Sequence, residues 1–126
     1  MSAEVVTYNQ MVVDISDRER TDRLFHALAD ATRREIVSIV LHDEQNVSEL
    51  ARRYPLSFAA IQKHVAVLER AELVTKQRRG REQLVRGNAD TVRRAHDLLG
   101  RLEVVWHERI DRIGDVLAQP KQGEPG

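Results

Sequence analysis

"SFAAIQKHVAVLERAEL", residues 57–73, carries a helical repeat with an unusually bare outer side. At about 100° per residue, Ile61, Val65 and Leu68 fall on one stripe, which predicts burial against a core. The opposite side holds Ala59, Gln62, Lys63 and Ala66. Charged residues make up 32% of the chain, so an ordinary solvated face here would be crowded with Glu, Lys and Arg. Ser57 stands where its hydroxyl can cap the first turn. Small side chains with one amide and one amine leave room for another molecule to approach the helix closely.

The flanking segments give this helix a setting. Upstream, "NVSELARRY" reads as a short helix with Ser48 as its cap and Leu50 and Ala51 turned inward, ended by Pro55. Earlier still, "ADATRREIVSIVLHDE" predicts a helix capped by Asp30 or Thr32, with Ile36, Val37, Ile39, Val40 and Leu41 inside. "SDRERTDRLFHALAD" predicts a helix from Ser16 whose apolar residues Leu24, Phe25 and Leu28 come late. Downstream the period changes. "LVTKQ" and "EQLVR" are short β-type runs around "RRGR", a hairpin with Gly80 available for positive φ at its tip. Two helices joined by a tight connection, the second bare-faced and followed by a basic hairpin, form a winged helix-turn-helix.

Charge distribution supports the same reading. The formal net charge of the 126 residues is zero. Residues 1–50 nevertheless carry five Arg against ten acids, a net of −5. Residues 51–87 carry nine Lys and Arg against three Glu, a net of +6, and residues 88–126 carry −1. A basic zone around the bare helix and hairpin is the electrostatic footprint of a polyanion partner. Cysteine is absent, which excludes disulfides, thiolate metal sites and cysteine nucleophiles. No apolar run approaches the ~18 residues of a membrane span, and "MSAEVVTYNQ" lacks the regions of a signal peptide. The expectation is a cytoplasmic protein with no membrane partner. With no Gly-rich phosphate loop and no HExxH, it is also expected not to be an enzyme and to need no cofactor.

From about Thr91 to Leu117, behind Asn88 or Asp90 as cap, apolar residues recur at heptad positions: Val92, Ala95, Leu99, Leu102, Trp106, Ile113 and Val116. A helix of ~27 residues is about 40 Å long, more than so small a domain covers by itself. A second copy is the expected cover, with Leu24, Val92, Leu99, Leu102, Trp106 and Ile113 at the dimer interface. The fold class is therefore mainly α with a small β-hairpin (α+β). Residues 1–15 are expected to form a flexible arm and 16–118 the winged domain, including dimer helix 91–117. The Pro/Gly-rich residues 119–126 are expected to form a disordered tail.

Three stretches in order, "LFHALADATRREIVSIV", "VSELARRYPLSFAAIQKHVAVLERAELV" and "KQRRGREQLV", resemble the ArsR-type winged helix-turn-helix repressors. The resemblance covers roughly residues 21–87 and implies a homodimeric repressor bound to double-stranded operator DNA. The recognition helix 57–70 would enter the major groove, and the wing 73–86 would meet the backbone or the minor groove. Ala59 and Ala66 let the helix approach base edges. Gln62 suits adenine, Lys63 a guanine edge or a phosphate, and Ser57 a phosphate. Lys76, Arg78, Arg79 and Arg81 suit phosphate or minor-groove contact. Phe58 is open to two roles, a packing staple or a thymine-methyl contact. His64 is open to a DNA-backbone contact or a structural hydrogen bond.

Departures from the family pattern bear on regulation. Asn46, Val47, Ser48 and Glu49 stand where metal-sensing members carry "CVCD", so neither thiolate is kept. On the long helix, His96 and His107 lie eleven residues apart on one face, but Arg94 and Ile110 occupy flanking spacings where that site has acids. The expectation is no metal, with His96 and His107 as the only candidates, and the identity of any small-molecule effector stays open. Glu72 replaces a glycine that many relatives carry between recognition helix and wing, where positive φ in a non-glycine residue costs about 1 kcal/mol. Two alternatives remain: a winged-helix module that binds a protein partner instead of DNA, or the same repressor with a His-based divalent-metal switch.

Overall fold

The computed structural model describes residues 3–118, with side chains from Ile15 onward. Contacts divide the chain into two compact units, residues 1–95 and 96–126. Helix α1 spans Ala3–Leu28, α2 Ala31–His42, α3 Val47–Arg52 and α4 Phe58–Arg70. Strand β1 is Gln45–Asn46, β2 Val74–Arg79 and β3 Glu82–Gly87, and α5 is Ala89–Ala118. The expected start of the first helix at Ser16 is corrected, because α1 extends back to Ala3, through residues assigned to an arm. Once a helix is nucleated, each further residue adds a hydrogen bond at little cost, so its start need not coincide with its apolar stripe. The expected tail, 119–126, lies outside the described residues.

Local chemistry accounts for the helix ends. Asp30 caps α2 by accepting from the Arg33 N–H at 3.0 Å. That bond, reinforced by the Arg33 and His64 charges, holds the Asp30 carboxyl below its ordinary pKa. Arg33 and Arg34 turn back onto the end of α1. The Arg33 Nε donates to the Ala27 carbonyl (2.8 Å) and its Nη2 to that of His26 (3.1 Å), while the Arg34 Nη1 donates to that of Leu28 (2.7 Å). Orphan carbonyls of one helix are thus satisfied by the next. The cap of α3 is Asn46 and not Ser48: its Oδ1 accepts from the Glu49 N–H at 2.7 Å. Ser57 caps α4 as expected, its Oγ accepting from the Ala60 N–H at 3.1 Å.

The hairpin is part of a three-stranded antiparallel sheet in the order β1-β3-β2. Gln45 pairs with Val85 and Asn46 with Leu84, a strand too short to leave a periodic signal. Arg79 pairs with Glu82 around Gly80 and Arg81. Gly80 has φ +62° and Arg81 is not in the positive-φ region, as a two-residue II′ turn requires. Leu24, Ile36, Leu50, Ile61, Leu68, Leu73 and Val85 are fully buried and join helices α1 to α4 to the sheet. Burying each contributes about 1.5–3 kcal/mol relative to exposure. Two expectations are corrected here. Leu24 is sealed inside this core and offers no surface to a second copy, and Leu41 is 39% exposed.

The turn after α4 settles the question raised by Glu72, which has φ +63°. Leu73 N–H donates to the Leu68 carbonyl (3.0 Å) and Glu72 N–H to that of Glu69 (2.9 Å). These are the paired bonds of a Schellman ending, with Leu73 packed into the core beside Leu68. The Glu72 Oε2 also receives Arg20 Nε and Nη2, each at 3.0 Å. Both side chains are nearly half exposed, so the pair is worth well under 1 kcal/mol, while left-handed strain costs about 1. Glu72→Gly is therefore expected to leave stability unchanged or raise it by a few tenths of a kcal/mol, read by urea denaturation. A clear loss would assign Arg20 a larger role.

In the second unit, residues 96–118 continue α5 as one helix. Its apolar positions Leu99, Leu102, Val105, Trp106, Ile113 and Val116 are each more than half exposed.

Candidate nucleic-acid interface

The bare face of α4 is open to solvent. Ala59, Gln62 and Lys63 are exposed and Ala66 partly so, while Ile61, Val65 and Leu68 on the other side are sealed into the core. Packing of α3 and the sheet against α4 sets this face beside the wing. Two grooves result. One runs between the start of α3, the start of α4 and the wing, and its walls include Arg52, Phe58, Gln62, Arg78, Arg81 and Gln83. The other lies between α4 and the strands, walled by Ala59, Gln62, Lys63, Ala66, Lys76 and Gln83. Gln62 borders both, at the centre of the surface.

Strand alternation sorts the wing residues. Lys76 and Arg78 share the face that carries buried Val74, and the cross-strand partner of Arg78 is Gln83. Arg79 falls on the opposite face of the hairpin and borders neither groove. The structure thus brings Phe58, Ala59, Gln62, Lys63, Lys76, Arg78 and Arg81 together, and sets Ser57, His64 and Arg79 apart from the grooves. Phe58 is 47% exposed on a groove wall.

Not all the positive charge is free. Lys76 Nζ lies 3.5 Å from Glu69 Oε1 on α4, and Glu82 within the first groove accepts from Asn46 Nδ2 at 3.4 Å. Arg52, Arg78 and Arg81 have no carboxylate within salt-bridge distance among the described residues, so they dominate the groove's potential. His64 turns inward instead. Its Nδ1 is 3.4 Å from Arg33 Nη1 and 4.0 Å from Asp30 Oδ2. His64 thereby ties α4 to the α1–α2 junction.

Sequence reasoning missed Arg52 and Gln83. Arg52 could have been picked out as a basic residue ending the first helix of the motif. Gln83 could have been found only from the register that sets it opposite Arg78.

On α5, His96 and His107 are exposed. His107 Nε2 contacts Glu103 Oε1 at 3.2 Å one turn away, and His96 Nδ1 lies 3.8 Å from Asp97 Oδ1. No cluster of three or more His, Asp or Glu suited to a metal ion occurs among the described residues. Nor is any helix among them long and apolar enough to cross a membrane.

Comparison with known proteins agrees with this architecture. Residues 30–76 match the model for the bacterial regulatory protein, arsR family. An ArsR-like transcriptional regulator from Rhodococcus sp. RHA1 is 31% identical, with a TM-score of 0.70 over 80% of this chain and 95% of that one. The HTH-type transcriptional regulator Rv2034 of Mycobacterium tuberculosis is 49% identical over 53 residues, which are 42% of this chain and 50% of that protein. That match spans half the length of the curated relative. The homodimeric winged helix-turn-helix DNA-binding domain Mb0332 from Mycobacterium bovis shares the fold, with a TM-score of 0.59 at 23% identity over 75% of this chain and 84% of that one.

Proposed function

The chain belongs to the ArsR family of transcriptional regulators, and from that premise we propose that it is a homodimeric repressor that binds an inverted repeat in double-stranded DNA. One observation carries the reading: the small, exposed face of α4 borders, through Gln62, two grooves, one walled by Arg52, Arg78 and Arg81 and the other by Lys63 and Lys76. A helix without bulky charges fits the major groove closely, and unpaired arginines beside it suit phosphate contact. Gln62 is the base-reading residue, with Lys63 beside it. Phe58 meets a thymine methyl, and Ser57 reaches a phosphate from the helix start. The exposed apolar stripe of α5 buries against a second copy. Half-sites then lie about 34 Å apart, or a multiple of it. The protein acts in the cytoplasm, has no catalytic step and needs no metal, since both family thiolate positions are replaced.

Selection of bound sequences from random duplex DNA, run with and without zinc at fixed moderate salt, tests the reading. Enrichment of an inverted repeat, indifferent to zinc, is the expected outcome. A folded dimer that enriches nothing would instead favour a protein partner. On the selected site, Arg78→Ala and Arg81→Ala are each expected to weaken all sequences alike and flatten the salt dependence by about one unit of slope. An unchanged slope would remove that arginine from the interface.

A further inference from the structure

The heptad seam of α5 runs 99, 102, 106, 109, 113, 116, and every position is apolar except Arg109. The Arg109 Cα–Cβ direction lies between those of Val105 and Ile113, one turn away on either side, so its charge stands inside the exposed apolar face and not on its rim. Trp106, 58% exposed, is the seam's one aromatic residue and the only tryptophan of the chain. We propose that two copies of α5 pair antiparallel in the register that stacks Arg109 of each on Trp106 of the other. This rests on the two-copy reading above and adds to it the direction, the register and the residues that enforce them.

In a parallel, in-register pair each seam residue faces its own copy, so Arg109 meets the partner's Arg109 and two like charges are buried together. In an antiparallel pair the numbers of facing residues have a constant sum. A sum of 215 sets Leu99 against the partner's Val116, Leu102 against the partner's Ile113, and Trp106 against the partner's Arg109. The other layers are then wholly apolar, and both guanidinium groups lie on an indole face, where a cation is held and need not be hydrated. Sliding the pair by one heptad either way puts Arg109 against Leu99 or Ile113 and shortens the overlap. The midpoint of the favoured register also falls at the centre of residues 96–118, so it covers the exposed stripe at full length.

Because the chain has no cysteine, the register can be read by disulfide trapping in the full-length protein. Leu99→Cys and Val116→Cys are made separately, checked for unchanged helicity and mixed under mild oxidation. A disulfide between the two different variants is expected, with neither variant cross-linking to itself. In the proposed register two copies of position 99 are about 25 Å apart, well beyond disulfide reach. Self-linking of Leu99→Cys would show a parallel pair and overturn the proposal while leaving the dimer intact. A dimer by sedimentation that traps neither pair would also overturn the register. Sedimentation of the unmodified chain as a monomer at micromolar concentration would instead overturn the two-copy reading itself. Arg109→Ala is expected to weaken the dimer about tenfold, as loss of two cation–π contacts implies. Arg109→Leu removes the like-charge barrier and is expected to let Leu99→Cys self-link.

Discussion

Ala59→Glu is expected to lower affinity for the selected DNA site at least a hundredfold while leaving the melting temperature unchanged. The stability half of this expectation follows from exposure. Ala59 faces solvent on the second residue of α4, and a glutamate in the first turn of a helix is if anything favourable. The binding half follows from where the carboxylate would lie, on the wall of the groove that also carries Gln62, Lys63 and Lys76. A negative charge there confronts DNA phosphates directly, and like-charge juxtaposition at an interface costs several kcal/mol. About 3 kcal/mol is already more than a hundredfold, and each dimer would pay it at two half-sites. Ala118→Glu, on the exposed last turn of α5, adds the same charge elsewhere and serves as the control. Titration by fluorescence anisotropy reads both. Equal losses would make the effect one of overall charge, and no loss from Ala59→Glu would move α4 out of the interface.

The reach of sequence reasoning in this protein follows the range of the interactions. The motif helices, Ser57 as cap, Gly80 at the hairpin tip and the bare face of α4 are local features, set by periodicity or by contacts three or four residues apart. They were legible. Asn46 and Ser48 are equally good capping residues by type. Asn46 prevails because β1 ends there, held by its pairing to Leu84. Lys76 looked free for DNA until the fold brought Glu69 to it, and His64 looked available until Arg33 and Asp30 closed on it. Leu24 shows a further limit. An apolar stripe says that a residue is buried, not by what, and the core of its own chain claimed it. The candidate site was thus legible in its centre, around Gln62 and Lys63. It was less so at its edges, where tertiary pairing decides which charges stay free and which strand face Arg79 occupies.

Gly87→Ala tests the packing that carries this arrangement, and a loss of about 1–3 kcal/mol is expected. Gly87 ends β3, where α2 crosses the sheet. A Cβ there would sit 2.7 Å from both Cγ and Cδ2 of Leu41 and 2.9 Å from its backbone Cα. Exposed Leu41 can swing its side chain aside, so the side-chain part of the clash is relieved cheaply. The Cα cannot move without shifting α2, whose Ile36, Val37 and Val40 are locked in the core. The double variant Leu41→Ala, Gly87→Ala should therefore recover only part of the loss, and a double-mutant cycle gives the share due to backbone contact. Gly100→Ala is the contrasting case. Its Cβ would meet nothing within 4 Å, and within α5 the same change is expected to stabilise by about 0.5–1 kcal/mol. Opposite signs from one substitution type would locate the effect in the approach of α2 to β3, where the backbone of the wing meets the helix layer. Full rescue by Leu41→Ala would instead show that the side-chain clash is the whole cost and that the α2 backbone yields to the added Cβ.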